Sequence, residues 1–111
     1  MLNVDVDVVR GITFIRLEGD LTNRTFDNFN FELDNLLYNL GMHFYVINFV
    51  DVFNIDNNIF NKIQNKLYEI FLSCGKVVLC GLDGNYEKKL GKQDELFYVR
   101  NGVEAFRYLN V

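Results

Sequence analysis

The chain has 111 residues and no proline, and its composition is 50% hydrophobic and 15% aromatic. That is enough apolar material to fill a core, so we expect one compact domain over residues 1–111 and no disorder. The formal net charge of −4 argues against nucleic acid and anionic membranes as partners. The lack of a leader pattern, and of an apolar run of about twenty residues, predicts a cytoplasmic protein with no direct membrane insertion.

The first segment of the chain predicts a β-hairpin. Apolar and polar residues alternate from Leu2 to Val8, which is typical of a strand with one face on the core and a place near a sheet edge. Gly11 tolerates a positive φ angle, so Arg10 and Gly11 predict a turn. The segment from Ile12 to Glu18 is then expected to form a second strand that runs antiparallel to the first.

After Gly19 the apolar residues change to helical spacing. We expect a helix that is capped by Asn23 or Thr25 and stopped at Gly41. Its apolar face consists of Phe26, Phe29, Leu33, Leu36, Leu37 and Leu40.

The stretch from Val46 to Phe60 predicts a buried strand that leads through a turn into a helix. The residues from His43 to Val50 lack alternation, which indicates a strand buried on both faces. Asp56 stands where a helix N-cap belongs, and a capping side chain there is worth roughly 0.5 to 2 kcal/mol. The helix is expected over residues 57–73, with Gly75 ending it and one apolar stripe: Ile59, Phe60, Ile63, Leu67, Ile70 and Phe71.

The last third repeats the pattern with shorter elements. We expect a buried strand from Val77 to Cys80, a turn from Gly81 to Asn85, a brief helix from Tyr86 to Leu90 and a short strand from Phe97 to Val99. A closing helix then contains Val103, Phe106 and Leu109, with Asn101 as its cap. The predicted fold is α/β: a mixed sheet of four or five strands with an N-terminal antiparallel hairpin, parallel later strands and about four helices.

Three loops should meet at one edge of that sheet, because the carboxyl ends of parallel strands gather there. They are Gly19 to Arg24, Asp51 to Asn58 and Leu82 to Asn85. The edge therefore collects polar side chains: Asp20, Thr22, Asn23, Asp51, Asp56, Asn57, Asn58 and Asp83.

The residue inventory argues against catalysis. Ser73 is the single serine and His43 the single histidine, and the predicted elements place Ser73 at the far end of the second long helix, so no nucleophile and base meet. Cys74 and Cys80 are expected to be small buried hydrophobes. No phosphate-binding loop or metal-ligand spacing is present, so we expect no cofactor and no metal. A small hydrolase or metal enzyme remains a minor third alternative.

Four segments of the chain together resemble the STAS domain, the family of bacterial anti-sigma factor antagonists. They are VRGITFIRLEGDLT, VINFVDVFNIDNN, KVVLCGLDGNYEKKLG and DELFYVRNGVEAF, and they span almost the whole sequence. Gly19-Asp20-Leu21 resembles the family's Gly-Glu-Leu-Asp turn. Ile55-Asp56 resembles the hydrophobic residue and Asp before the family's serine, and the sequence from Val103 to Phe106 resembles its closing helix.

The resemblance implies a site that has lost its switch. In the family, a partner anti-sigma factor that is itself a kinase phosphorylates the serine after that Asp, and this chain has Asn57 there. An amide has no hydroxyl to accept phosphate and no charge to imitate it. We therefore expect a protein held in its partner-binding state, or one that has exchanged switching for a scaffold role. Thr22 and Thr25 are alternative acceptors, although helix entry and capping explain both.

The implied function is a non-enzymatic interaction module that binds an anti-sigma factor of kinase-like ATPase fold. The implied contact residues are Asp20, Thr22, Asn23, Asp56, Asn57, Asn58, Asn61 and Lys62. The alternative is an accessory subunit of an ABC-type lipid transporter, since some small STAS domains dock on a transporter ATPase. Self-association is left open by the sequence.

Overall fold

The structure is a computed structural model that describes residues 1–73, 75–91 and 96–99. Its strands are β1 (Leu2–Val9), β2 (Ile12–Leu21), β3 (Phe44–Ile55), β4 (Lys76–Cys80) and β5 (Leu96–Val99), and its α-helices are α1 (Phe26–Asp34), α2 (Phe60–Leu72) and α3 (Gly84–Leu90). A π-helical turn, Asn35–Asn39, follows α1, and a 3₁₀ turn, Asn57–Ile59, precedes α2. The predicted closing helix and Cys74 lie outside the described residues.

The five strands form one sheet in the order β1-β2-β3-β4-β5. β1 is antiparallel to β2, and each later pair is parallel. The turn between β1 and β2 has positive φ angles at Arg10 (52°) and Gly11 (79°), as a tight hairpin turn requires. These observations confirm the predicted fold class, including the short fifth strand.

The central part of β3, residues 45–49, is enclosed on both faces of the sheet, as its unbroken apolar sequence predicts. The predicted buried strand ran from His43 to Val50, and its ends are exposed. Tyr45 and Ile47 face the helices, whereas Val46 faces the other side of the sheet with Ile12 and Val78. Tyr45 is fully buried, and its hydroxyl donates a hydrogen bond of 2.7 Å to the carbonyl oxygen of Met42. Burial raises the pKa of Tyr45 to about 12.

β1 differs from its prediction in its second half. Leu2 is buried and Val4 half-buried, but Val6 and Val8 on the same face are 38% and 49% exposed. Helix α1 flanks only the start of the strand, where its Phe31 lies beside Leu2 and Val4. Alternation in the sequence therefore continues past the end of the helical layer, and the later valines face solvent.

The predicted apolar face of the first helix is correct except at its end. Five of its six side chains are buried, but Leu40 is 59% exposed. The reason is the π-helical turn that begins at Asn35, because a π turn contains an extra residue and rotates every later side chain around the helix axis. The chain then turns at Gly41, which has a φ angle of +64°.

The apolar stripe of α2 is confirmed, with one ionisable residue buried within it. Lys66 is only 4% exposed, and its ammonium donates hydrogen bonds to Asp34 at the end of α1 and, at 3.2 Å, to Glu69. Burial by itself lowers the pKa of Lys66. The hydrogen bonds and the negative charge of both carboxylates raise it and together outweigh burial, so the pKa lies above its ordinary value. This cluster joins the end of α1 to the middle of α2.

Candidate functional site

The carboxyl ends of β2 and β3 project beyond the rest of the sheet. Pairing of β3 with β4 stops at Asn48, but pairing with β2 continues to Ile55, with two register shifts. We name the residues 18–21 and 51–55 the β2–β3 extension. The sequence predicted a loop from Asp51 onwards, and that prediction is wrong, because a strand can continue as a two-stranded ribbon after its other neighbour has ended.

Asp51 belongs to this extension and not to an open loop. Its carboxylate accepts hydrogen bonds of 2.8 and 2.5 Å from the Arg16 guanidinium. The hydrogen bond and the charge of Asp51 raise the pKa of Arg16. Asp51 is therefore engaged in an ion pair on the sheet, which removes it from the set of polar side chains at the loop edge.

The junction between β3 and α2 is held by backbone contacts. The N–H of Asp56 donates to the carbonyl oxygen of Leu21 at 2.9 Å, which ties the ends of β2 and β3 together. Asp56 has the extended φ and ψ angles of an N-cap residue, but its side chain caps nothing. Its carboxylate instead accepts a hydrogen bond of 3.0 Å from the Asn54 amide. The expected side-chain cap is therefore wrong, because the amide of Asn54, near the end of β3, engages the carboxylate.

Asn57 is exposed at the first position of the 3₁₀ turn. Its amide oxygen accepts a hydrogen bond of 2.6 Å from the ammonium of Lys89 on α3. The same ammonium lies 5.3 Å from the ring centroid of Phe60 and 6.0 Å from that of Tyr86, within the range of a cation–π contact. The start of α2 therefore carries a neutral amide side chain with a cation beside it.

The loop after β4 completes this edge. The Asp83 carboxylate accepts a hydrogen bond of 2.7 Å from the backbone N–H of Asn85 and so caps α3. Gly81, with a φ angle of +76°, lies so close to β3 that an added Cβ would be 2.6 Å from the backbone nitrogen of Val50. A groove of about 200 Å³ separates the loop from the β2–β3 extension, and Phe53 and Tyr86 are among its lining residues.

The threonines of the neighbouring loop are engaged within that loop. The Thr25 hydroxyl donates a hydrogen bond of 2.7 Å to the carbonyl oxygen of Asp20 and accepts one of 2.9 Å from the N–H of Thr22. The Thr22 hydroxyl accepts one of 3.2 Å from the N–H of Thr25. Thr25 occupies the N-cap position of α1 without a side-chain cap, and both threonines are half-buried. These contacts give the threonines a role in helix entry.

The other predicted site residues lie on the same side of the molecule. Asn23 and Asn58 are exposed in the turns that precede α1 and α2, and Asn61 and Lys62 are exposed in the first turn of α2. The Lys62 ammonium lies 5.9 Å from the ring centroid of Phe26 at the start of α1. The structure therefore brings the loop after β2 and the start of α2 together, with α3 adjoining through Lys89.

The sequence analysis missed the largest apolar feature of this edge. Phe53 is 79% exposed and Val50 is 62% exposed, both on the part of β3 that lies beyond β4. Val52, Phe53 and Ile55 are residue types that favour strands, and this signal was not used when a loop was predicted here. Lys89 was also missed, and nothing in its sequence neighbourhood indicates that it reaches Asn57.

The described residues assemble no catalytic pair at this edge. His43 precedes β3 and Ser73 ends α2, where its hydroxyl donates to the Glu69 carbonyl oxygen at 3.1 Å. Cys80 is buried on the sheet, and burial raises its pKa to about 11, which disfavours the thiolate. Within residues 1–73 and 75–91, no three side chains of His, Cys, Asp or Glu are grouped to hold a metal ion. What the edge offers is an exposed surface of amides, charges and one aromatic ring.

Several solved structures have the same fold as this chain. A putative anti-sigma factor antagonist from Thermotoga maritima matches with a TM-score of 0.82 and 19% identity, over 97% of this chain and 95% of that one. The anti-sigma factor antagonist SpoIIAA matches in its unphosphorylated form with a TM-score of 0.78 and 15% identity, over 97% and 98% of the two chains. SpoIIAA of Bacillus in its phosphorylated form matches with a TM-score of 0.72 and 14% identity, over 96% and 99%.

The chain therefore has the STAS-like fold of the anti-sigma factor antagonists. Neither a protein-family model nor a curated protein matches its sequence. No helix among the described residues is long and apolar enough to span a bilayer.

Proposed function

We propose that this chain is a non-enzymatic regulatory module of the anti-sigma factor antagonist type. It acts in the cytoplasm as one STAS-like domain of residues 1–111 and binds an anti-sigma factor of kinase-like ATPase fold. The observation that carries the proposal is the exposed, neutral side chain of Asn57 at the start of the turn into α2. In the family that the sequence resembles, the phosphorylated serine occupies this position.

The physical reason for a permanent binding state is the charge at residue 57. A phosphate at that position would add about −1.5 to −2 charges beside a helix N-terminus and at the partner surface. Asn57 remains neutral, and its amide oxygen accepts the hydrogen bond from Lys89. The surface around it therefore keeps one electrostatic state whether or not a kinase is present.

The proposed contact surface consists of Asp20, Thr22, Asn23, Asp56, Asn57, Asn58, Asn61 and Lys62 together with Phe53. Aromatic residues that bury their rings on binding commonly contribute most of the energy of an interface, while polar residues around them provide complementarity. Phe53 supplies the first of these features, and the amides around Asn57 supply the second.

The test uses the kinase-like anti-sigma factor encoded in the same genome, purified and mixed with this chain. The variant Asn58→Arg places a bulky cation in the proposed contact and should abolish co-purification. Thermal unfolding should be nearly unchanged, because Asn58 is exposed. Asn39→Arg, at the end of the π-helical turn that follows α1, is the matched control and should bind normally.

Equal binding by Asn58→Arg and the unaltered chain would move the interface elsewhere. A failure of the unaltered chain to bind this factor would overturn the proposed function. In that case, permease and substrate-binding genes beside this one would favour the transporter subunit.

A further inference from the structure

The outer side of β1 is an open edge of the sheet. β1 runs for eight residues and pairs with β2 on its inner side. Within the described part of the chain, no backbone hydrogen bond reaches its outer side. Unpaired N–H and C=O groups along such an edge can form hydrogen bonds with an added strand, which is a common mode of peptide recognition.

One face of this edge offers apolar contacts to an added strand. Val6 and Val8 are 38% and 49% exposed on the face that carries the helices. Beside the start of β1, an open groove of about 250 Å³ is lined by Leu2, Val4 and Phe31 among others, and Phe31 is 71% exposed. A strand beside β1 would place every second side chain against these residues, because side chains alternate between the faces of a sheet.

The other face of the edge carries more negative than positive charge among the described residues, although the charge of Arg16 attracts Asp5 and Glu18. Asp5 and Asp7 are exposed there, and the register places Arg16 directly opposite Asp5. Arg16 nevertheless donates its hydrogen bonds to Asp51, and neither Asp5 nor Asp7 belongs to any ion pair among the described residues. Glu18, which accepts a hydrogen bond of 3.2 Å from Asn3, adds a third carboxylate to this face.

These charges decide which strand the edge fits. If two copies paired antiparallel through β1 about a twofold axis, residues on the same face would lie opposite each other. In the two registers that pair most of the strand, each carboxylate would face another carboxylate or Asn3. Like charges opposite each other destabilise a strand pair, whereas opposite charges stabilise it by roughly 0.2 to 1 kcal/mol for each pair. A second copy is therefore disfavoured, and a strand with lysine or arginine at alternate positions is favoured.

We propose that β1 is a second interaction surface, which pairs with an extended segment of another protein that alternates apolar and basic residues. The added strand extends the sheet to six strands, with its apolar side chains beside Val6, Val8 and Phe31 and its basic side chains beside Asp5 and Asp7. This surface is separate from the edge around Asn57, so the proposal does not depend on an anti-sigma factor.

The test is an NMR titration of the isotope-labelled full chain with a capped eight-residue peptide that alternates valine and lysine. We expect chemical-shift changes centred on Leu2–Val9 and Phe31, and an affinity that falls as salt is added. Asp5→Lys and Asp7→Lys should each weaken binding by about tenfold or more, since each replaces an attraction with a repulsion. Glu87→Lys makes the same change of charge on α3 and should leave the affinity unchanged.

Two modified peptides separate strand pairing from simple charge attraction. N-methylation of alternate amides along one edge of the peptide should abolish binding, whereas methylation along the other edge should be tolerated, because only one edge faces β1. Shift changes located away from β1, equal binding by both methylated peptides, or equal binding by a valine–glutamate peptide would overturn the proposal. A dimer that forms across β1 without any peptide would overturn it as well.

Discussion

The ammonium of Lys89 donates a hydrogen bond of 2.6 Å to the side-chain oxygen of Asn57, so α3 holds a positive charge at the start of α2. Asn57 is therefore both exposed and partnered. This relationship joins two segments that are 32 positions apart in the sequence, and it makes the chemistry of residue 57 directly testable.

Incubation with the cognate kinase and ATP should leave residue 57 of the unaltered chain unmodified, because an amide cannot accept a phosphoryl group. Asn57→Ser restores a hydroxyl at the same exposed position and should become phosphorylated, with Lys89 beside the new charge. Mass spectrometry of the peptide that spans Asp56 to Ile59 measures both outcomes. Phosphate within that peptide of the unaltered chain would contradict the expectation.

Phe53 should contribute to partner binding and contribute little to stability. Because its side chain is 79% exposed, Phe53→Ser should leave thermal unfolding within a few degrees of the unaltered chain and weaken binding of the anti-sigma factor by about tenfold or more. Leu72→Ser is the matched control, since Leu72 is 69% exposed at the other end of α2. A calorimetric titration in which the two variants bind alike would exclude Phe53 from the interface.

Lys66 should stabilise the contact between α1 and α2. Lys66→Ala leaves Asp34 and Glu69 without their partner and opens space in the apolar stripe, so we expect the free energy of unfolding to fall by about 2 to 3 kcal/mol. Lys66→Met fills that space, and the half-exposed carboxylates regain water, so its loss should be nearer about 1 kcal/mol. Urea unfolding measures both values, and an equal loss for exposed Lys88→Ala would contradict a specific role for Lys66.

Cys80 should make the protein less stable at alkaline pH. Its folded pKa of about 11 lies above the ordinary 9.0, so above pH 9 the unfolded chain releases a proton that the folded chain keeps, and stability falls as pH rises. Cys80→Ala removes this contribution. Between about pH 8.5 and 10, the unaltered chain should therefore lose about 1 kcal/mol more of its free energy of unfolding than the variant loses. If the free energies of unfolding of the two chains changed with pH in parallel, the pKa of Cys80 would not be raised in the folded state.

Gly81 should hold the loop after β4 against β3. Gly81→Ala combines a positive φ angle of 76° with a Cβ that would lie 2.6 Å from the Val50 backbone nitrogen, so we expect destabilisation of about 1 to 3 kcal/mol. Gly84→Ala is the control, because a Cβ at Gly84 meets nothing within 4 Å. The midpoints of thermal unfolding of the two variants are compared. Similar midpoints would mean that the loop after β4 can move away from β3 without a loss of stability.

The elements that the sequence predicts correctly are those in which local patterns and burial agree. The unbroken apolar run around Tyr45 marks a strand buried on both faces, and the stripe from Ile59 to Ile70 marks the helix after it. Lys66 also lies at a stripe position, three residues after Ile63, so its burial was readable from the same spacing. Its carboxylate partner Asp34 was not, because that pair depends on how two helices pack.

The parts that the sequence missed depend on geometry beyond local periodicity. Leu40 leaves the apolar face because of a π-helical turn, for which the residue spacing gives no signal. β3 continues to Ile55 because β2 remains its neighbour after β4 has ended, and Asp56 turns to Asn54 instead of capping the helix. The hydrogen bond from Lys89 to Asn57 arises when α3 folds back onto the start of α2.

The central claim is that a neutral residue 57 keeps this surface able to bind its partner. Titration calorimetry of the anti-sigma factor with the unaltered chain, Asn57→Glu and Asn39→Glu tests it most directly. We expect Asn57→Glu to bind about tenfold or more weakly, because it adds a charge at the contact, and Asn39→Glu to match the unaltered chain. Equal affinity for Asn57→Glu and the unaltered chain would contradict the account.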